Sequence, residues 1–514
     1  MDTAATLDLV NELEAAAPVE EWRVGSVPVW PLVRERIVWH ANADNAVQRS
    51  RTLSDDLVRR RARRLARLGS DLAGYTRGRI ADRQGAAGLH QPADLLILGD
   101  NVSRVPLDGR WYDRLCDPVV ELAAELGLSS LQLDPHHLYR VPRAAPSAWI
   151  QPQLDALLVA GRLSRARAPE PELPGGDELA RLLKGRGVTT TPLSTDAIRS
   201  GARQMRLIGD FFGKIVERSG ARTGVLVDFS VISMGFNLAC REQGIPSIEL
   251  QHGVQGAAHW AYARWDAVPS DGFSVLPSIY WNWTESDAQV INAWAGRTNG
   301  HHRAVAAGNL WIRSWLSADS PLVADYDARA QEALPAGSPL VLWTLQPGIS
   351  GPHELGLLLQ AAELAPGWIW LPRLHPAMTV SERSTINQAL AQLPTPAAAR
   401  VAADDLPLPA LLRRIDAHVT FSSSTTLEAA TFGVPTVLTS AEGALYFEDL
   451  IAQRWARPAA IGSPPTAPDV VKALEAAMAT RDQTPVQTAA GAADILQRIV
   501  GRSVEANGSK DLAG

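Results

Sequence analysis

The sequence predicts two α/β domains in tandem, each a doubly wound parallel sheet, preceded by a helical region. Three observations lead there. The 514 residues leave room for several cores at roughly 100–200 residues per domain. Apolar residues are 46% and charged residues 20% of the chain, an ordinary globular balance. From residue 92 short apolar runs alternate with helical stretches, and the alternation starts again near residue 339. Such runs read as strands covered on both faces. The boundaries drawn are 1–90 for the helical region, 91–325 for the first α/β domain and 338–505 for the second. The stretch 317–339, with Ala336-Gly337-Ser338-Pro339, reads as the linker. Two such sheets facing each other make a cleft at the carboxyl ends of their strands, where ligands bind in this fold class.

In the 1–90 region Trp22, Trp30 and Trp39 read as core anchors. Within it, residues 57–68 place Leu57, Val58, Leu65 and Leu68 at helical spacing with arginines between them. This basic helix is either a solvated face or a surface for an anionic membrane or an acidic polymer. Strands are expected at 94–98, 128–133, 224–229, 246–250, 278–282 and 303–307. Residues 160–200, rich in Arg, Pro and Gly, read as an insertion or loop. The second set of strands is expected at 339–344, 368–374, 417–421 and 435–439. The tail after Asn507 reads as frayed.

The formal charge of −6 provides no global basic field, so nucleic acid is not an expected partner. Two cysteines, Cys116 and Cys240, make neither a disulfide framework nor a Cys-based zinc site. The N-terminus has no apolar stretch of the signal-peptide kind, and no window approaches the ~20 apolar residues of a spanning helix. The expected location is cytoplasmic, with any membrane contact peripheral, at the inner face, through the 57–68 helix.

Four stretches carry candidate chemistry. In Ile248-Glu249-Leu250-Gln251-His252-Gly253-Val254 a strand ends on a histidine, with Gly253 read as permitting a sharp turn. A histidine there is either a general base near neutral pH or a turn residue bonded to the backbone. In Trp370-Leu371-Pro372-Arg373-Leu374-His375-Pro376 a strand ends on Arg373 and His375, two residues apart and so on one face. Arg and His together suit a phosphate, or else cap the strand end. In Val419-Thr420-Phe421-Ser422-Ser423-Ser424-Thr425-Thr426-Leu427-Glu428 a strand runs through five consecutive hydroxyl residues into a helix. Hydroxyls, free N–H groups and the helix dipole suit an anion, and a cap alone needs only one hydroxyl. Glu428 lies about one turn in, within reach of a ribose diol. The loop at Gln346-Pro347-Gly348 is a weaker candidate for a pyrophosphate. Asp228, at a strand end, is a lesser one. The pairs His136-His137 and His301-His302 read as surface positions, and Trp260 and Tyr262 as rings that stack on a sugar. Trp281 and Trp283 alternate along a strand and line the sheet.

These motifs resemble those of GT-B glycosyltransferases of bacterial surface-polysaccharide synthesis. His375-Pro376 followed by Ser422-Ser423-Ser424 resembles the HP and SSS motifs of sialyl-, polysialyl- and capsule Kdo transferases. Gln251-His252-Gly253 resembles the His-Gly turn of teichoic-acid polyol-phosphate polymerases. Ala307-Gly308-Asn309 resembles the Gly-Asn that ends the first domain of many GT-B proteins and 2-epimerases. Asp108-Gly109-Arg110-Trp111-Tyr112-Asp113 is similar to a stretch of capsule-type proteins, with no role assigned. The resemblance covers roughly residues 92–460 and implies a GT-B fold and transfer of a sugar from a nucleotide-sugar donor to a hydroxyl of a surface glycan or glycolipid. The donor it implies first is a CMP-sugar such as CMP-Kdo. Ser422, Ser423, Ser424, Thr425, His375 and Arg373 would grip the donor phosphate, with Glu428 near the ribose and Gln346 beside it. His252, flanked by Gln251 and Gly253, would take the acceptor proton. The acidic motif of the sialyl enzymes is not evident, a departure that bears on sialic acid as the sugar. No Asp-x-Asp lies in a suitable loop, so neither a metal nor a separate cofactor is expected. The other readings are polyol-phosphate transfer from a CDP-glycerol-like donor, a sugar-nucleotide 2-epimerase, and a non-catalytic binding protein.

Overall fold

The computed structural model describes residues 3–48, 89, 91–100, 103–135, 143–163, 169–317, 320–346, 351–376, 378–479, 485–486 and 489–511. The basic stretch 57–68, the His136-His137 pair and Pro347-Gly348 lie outside these residues. The fold class is the expected one: two Rossmann-like α/β units, each with a fully parallel principal sheet. One unit comprises Met1–Gly308 with Ala489–Gly514, the other Asn309–Thr488.

The principal sheet of the first unit has seven strands: β1 (Leu95–Leu98), β2 (Ser130–Asp134), β3 (Ser147–Trp149), β4 (Thr223–Leu226), β5 (Ser247–Leu250), β6 (Ile279–Asn282) and β7 (Arg303–Ala306). Their order across the sheet is β7-β6-β5-β4-β1-β2-β3. The chain builds outward from β1 to β3 on one side, then from β4 to β7 on the other. That reversal puts the topological switch point, the usual ligand crevice, at the carboxyl ends of β1 and β4. Strands such as β1, with sequence Leu-Leu-Ile-Leu, are buried along their whole length, as a sheet with both faces covered requires. A long helix, Thr195–Ser219, precedes β4. Ser194 caps it by accepting from the Ala197 N–H, and Gly220 ends it at φ 66°.

The first helices, α1 (Thr3–Ala16) and α2 (Trp30–Gln48), share a core with this sheet. Leu9, Leu13, Trp22, Trp30 and Ile37 are buried in one cluster with Tyr280, Ile291 and Trp294. Its centre is an ion pair. Arg34 and Glu14 meet with both side chains fully buried. Glu14 accepts from the Trp30 indole at 2.8 Å and from the Asp266 N–H at 2.6 Å. Arg34 donates to the carbonyls of Trp260 and Ala263 at 2.7 and 3.0 Å and lies 4.1 Å over the Trp265 ring. The described N-terminal helices are thus built into the first unit. Trp22 and Trp30 are buried as expected, 5.7 Å apart edge to face, and so are Trp281 and Trp283. Trp39 differs: it is 67% exposed.

Several elements depart from the sequence reading. Residues 160–200 contain the helix Gly176–Gly185 and the start of Thr195–Ser219. The 317–339 stretch holds the helix Pro321–Ala333, whose Asp327 takes Arg413 in a fork at 2.8 to 3.1 Å, so it belongs to the second unit. The helix Ala492–Asp511 continues past Asn507. It returns to the first unit, where Ile495, Arg498 and Ile499 line a small cavity with Arg303 and Val305 of β7. The two places where the chain crosses between units touch. Gly308, at φ 83°, leaves space for a Cβ only 2.4 Å from the Ala489 carbonyl oxygen, so no larger residue fits unchanged.

The second unit carries β8 (Leu340–Thr344), β9 (Ile369–Arg373), β10 (Ala417–Thr420), β11 (Thr436–Leu438) and β12 (Ala456–Pro458) in the order β9-β8-β10-β11-β12. This is the flavodoxin-like order, with its switch point at the carboxyl ends of β8 and β10. Its core gathers Val341, Trp343, Trp370, Val419, Val437 and Leu474. Inside the sheet, His418 bridges the Thr344 and Thr436 hydroxyls at 2.9 and 3.0 Å. Burial brings its imidazole down to about 3, so it stays neutral. Among the described residues no helix is long and apolar enough to cross a membrane.

Candidate functional site

In the second unit the candidate residues follow the switch point. Gln346 comes just after β8 and the serine run just after β10, and the Ser422 hydroxyl lies 3.3 Å from Gln346 Oε1. The serine loop is held from behind. Ser440 Oγ donates to the Phe421 carbonyl at 2.6 Å and accepts from the Gly443 N–H at 2.8 Å. Gly443 approaches so closely that a Cβ would lie 2.2 Å from that same carbonyl oxygen. Ser423 Oγ accepts from the Thr425 N–H at 3.2 Å and donates to the Thr425 hydroxyl at 3.1 Å. Ser424 opens the helix Thr425–Thr431 without a side-chain cap bond. All three serines are half-buried, whereas Thr425 and Glu428 are 7% and 5% exposed. Sequence reading missed Glu354, which is buried. Its carboxylate accepts from the Thr439 hydroxyl at 3.4 Å and from the Gln346 N–H at 3.5 Å, joining the ends of β11 and β8.

Arg373 and His375 sit at the end of β9. Arg373 Nη1 donates to the carbonyls of Ala403 and Leu406, both at 2.8 Å, at the C-terminal end of the helix Ala397–Asp405. A guanidinium satisfies such orphan carbonyls well, and this one serves as a helix cap. His375 is half-buried, and its carbonyl accepts from Arg383 at 2.9 Å. Both lie on the neighbouring strand end, outside the contact that joins Ser422 to Gln346.

In the first unit Gln251 is 1% exposed and its amide is used up structurally. Nε2 donates to the Gly253 carbonyl and to Asp287, both at 2.9 Å, and Oε1 accepts from the Trp283 N–H at 2.6 Å. These bonds lock the turn that presents His252, which is half-buried with no hydrogen bond at Nδ1. Gly253 adopts no positive φ, and a Cβ there would meet nothing within 4 Å. The turn itself does not need a glycine; the space in front of it is open.

The same unit carries a group of ionisable side chains of which the sequence reading named only Asp228. Asp228 follows β4 at the switch point and accepts from the Ser233 hydroxyl. Glu249, in β5, is buried and accepts from the Tyr262 hydroxyl at 2.6 Å; its other oxygen has no hydrogen bond. Burial pushes its carboxyl well above the usual range, opposed by the Tyr262 bond and reinforced by Asp228. Glu35, from α2, is pushed up to about 7. Burial is the main cause; Arg36 opposes it, Asp228 adds to it, and a hydrogen-bonding contact from Trp39 opposes it. His259 stacks beside Trp260 and is held down to about 3 by burial, then by His252 and Arg34. Trp260 is half-buried, and Tyr262 is buried against Glu249, so of the two rings read as sugar platforms only Trp260 has a face to offer. A carboxyl near 7 is what proton transfer asks for. The signal for Glu35 lies in tertiary contacts some 190 residues apart in the chain, which no local pattern carries.

The Asp108-Gly109-Arg110-Trp111-Tyr112-Asp113 stretch is a hairpin. Strands Arg104–Leu107 and Arg110–Asp113 pair through Asp108 and Gly109, both at positive φ, which suits a tight turn with the right twist. Asp113 fastens it to the end of β1, accepting from the N–H groups of Cys116 at 3.0 Å and Asp100 at 3.2 Å. Of the His301-His302 pair, His302 is buried, contrary to the surface position expected: it accepts at Nε2 from the Phe273 N–H at 3.0 Å, with Nδ1 2.7 Å from the Pro277 carbonyl. Among the described residues no group of three His, Cys, Asp or Glu is set to hold a metal ion.

No family model matches the chain, and no curated protein matches it. Solved structures of similar architecture do. One is the UDP-GlcNAc 2-epimerase of Neisseria meningitidis bound to UDP-GlcNAc, 12% identical, covering 79% of this chain and 99% of its own, with a TM-score of 0.46. Another is a UDP-N-acetylglucosamine 2-epimerase of Listeria monocytogenes, itself described as putative, 13% identical over 80% of this chain and 97% of its own, with a TM-score of 0.48. A third is the wall teichoic acid polymerase TagF, 11% identical over 89% of this chain and 100% of its own, with a TM-score of 0.42. At these identities and TM-scores they assign no reaction to this chain.

Proposed function

We propose that the protein is a metal-independent glycosyltransferase that moves a sugar from a nucleotide-sugar donor, a CMP-sugar such as CMP-Kdo first among them, to a hydroxyl of a bacterial surface glycan or glycolipid. One observation carries this reading: the half-buried serine run and Gln346 meet at the switch point of the second unit, where nucleotides bind in sheets of this order. In this reading the hydroxyls of Ser422, Ser423 and Ser424 donate to the donor phosphate and to the charge that builds on it as the glycosidic bond breaks. His252, on a turn locked by Gln251, takes the proton of the attacking hydroxyl. The new bond forms at the anomeric carbon, and the nucleotide leaves with the electron pair. Arg373, whose Nη1 caps a helix end, and His375 border this grip on the neighbouring strand end and offer the phosphate their remaining donors. The enzyme works at the inner face of the membrane in this reading, with the basic stretch 57–68 as its contact.

A second reading, sugar-nucleotide 2-epimerisation, is favoured by Glu35, since removing and returning a sugar proton calls for a carboxyl of raised pKa.

Thermal unfolding against CMP, CDP, UDP, GDP and ADP tests the nucleotide site. A ligand at a hundred times its Kd stabilises by roughly 2.7 kcal/mol. The expected result is a shift with one base, lost in Ser423→Ala and kept in His252→Ala. No shift with any nucleotide, or a shift that Ser423→Ala leaves intact, overturns the assignment. Nucleotide released only when an acceptor is present separates transfer from epimerisation.

A further inference from the structure

We propose that the seam between the C-terminal helix and the edge strand β7 binds a single-chain anionic amphiphile, a molecule with one alkyl chain and a carboxylate or phosphate head. The helix Ala492–Asp511 lies against the first unit there, and helix and strand line a cavity of about 260 Å³. Among the described residues five side chains line it: Arg303 and Val305 from β7, and Ile495, Arg498 and Ile499 from the helix. This site goes beyond the transfer proposed above and holds whatever reaction the carboxyl edges of the sheets carry.

Sequence spacing brings these five together. Arg303 and Val305 are two apart on a strand and so share one face. Ala304 and Ala306 turn to the other face, where they pack in the core with Ile291 and Trp294. On the helix, Ile495, Arg498 and Ile499 stand at i, i+3 and i+4, one face again. Ala492, Leu496 and Val500 are buried beside them, so the helix is docked by side chains of its own and Ile495 stays half-buried at the cavity. Arg303 opens β7 at its amino end, whereas His252 follows the carboxyl end of β5, so the site is not the edge described above.

The cavity joins an aliphatic floor to a cationic rim. Val305, Ile495 and Ile499 carry no polar side-chain atom, so water there finds few partners and a hydrocarbon chain displaces it with a gain. Arg498 is exposed, and its Nε donates to the Asp494 carbonyl at 3.1 Å, which leaves both Nη groups for a ligand. Arg303 brings a second guanidinium, and none of the described lining residues is acidic. Guanidinium groups take carboxylate and phosphate alike through charge-assisted bonds. A cationic head meets like charge here, and a bare anion leaves the apolar floor unfilled.

Isothermal titration of the full chain with decanoate and with decyl phosphate, each below its micelle concentration, tests the site. Octanoate, inorganic phosphate and decyltrimethylammonium are run beside them. Both decyl anions are expected to bind one to one with a negative heat-capacity change. Octanoate, shorter by two methylenes, is expected to bind about fifteenfold more weakly than decanoate. Inorganic phosphate and decyltrimethylammonium are expected not to bind. Arg498→Met keeps an apolar stem and removes the charge, and is expected to weaken both anions about tenfold. Ile495→Trp fills the cavity and is expected to abolish binding, with circular dichroism showing that each variant is folded. Tighter binding of decanoate than of decyl phosphate assigns the site to free fatty acids, and the reverse order to lipid phosphates. Binding of neither anion, binding of decyltrimethylammonium or inorganic phosphate as tight as theirs, or wild-type affinity in Arg498→Met and Ile495→Trp overturns the proposal.

Discussion

Replacing Glu35 with glutamine makes the stability of the first unit respond to pH in a calculable way. In the folded chain burial and Asp228 raise this carboxyl to about 7, against an ordinary value of 4.5. The protonated form is therefore the one the fold prefers. Its contribution is fully present below pH 4.5 and is lost as pH rises through 7. At 1.36 kcal/mol per pH unit, the difference comes to about 3 kcal/mol as an upper bound. Glutamine keeps the size and an oxygen to face Trp39 and never ionises. Glu35→Gln is expected to match wild type near pH 4 and to exceed it by up to about 3 kcal/mol at pH 8.5. Urea unfolding of both proteins at the two pH values, followed by near-ultraviolet circular dichroism, reads the difference. An advantage of the same size at both pH values, or none at 8.5, refutes the placement of Glu35 in a desolvated, acid-flanked position.

Other outcomes follow from the packing. Arg34→Met strands Glu14 and releases two carbonyls from a fully buried centre, so it is expected to cost about 3–5 kcal/mol, seen as a lowered melting temperature. Gly443→Ala drives a methyl into the Phe421 carbonyl; the serine loop must shift, at about 1–3 kcal/mol, and a nucleotide-induced melting shift should fall with it. Gly253→Ala meets no neighbour and is expected to leave melting unchanged, while a bulky Gly253→Trp should fill the open space before His252 and abolish turnover, with melting read alongside to show that the fold is kept.

Four- and five-residue apolar strands such as β1 and β8 were legible because each ends on a polar or glycine residue that breaks the run. β3 and β12, three residues each, carry too few side chains for any period to show. The hydroxyl run after β10 was legible as a site because hydroxyls at a strand end have little else to do. Arg373 was legible as a cation at a strand end, but its partner is the end of a helix thirty residues on, which local pattern does not reveal. Gly253 was read as a conformational need, and the backbone shows no such need. Trp39 was read as core on composition, whereas its place on α2 puts it outside. Asp228 was legible as a carboxylate at a strand end, whereas Glu35 and Glu249 gained meaning only once α2, β4 and β5 were brought together.

The contact of Gly308 with Ala489 has a consequence for how the chain is made. The first unit is written in two instalments, with the whole of the second unit between them. Its closing piece, where Ala492, Leu496, Ile499 and Val500 are buried, leaves the ribosome only after the whole of the second unit. At 5–20 residues per second, residues 309–511 take roughly 10–40 s to emerge. For that time the earlier-born unit waits with β7 uncovered, while the later-born one has all of its sequence and can finish first. A message cut short after residue 488 would yield a complete second unit joined to a first that still exposes its apolar seam, a natural target for quality-control proteases.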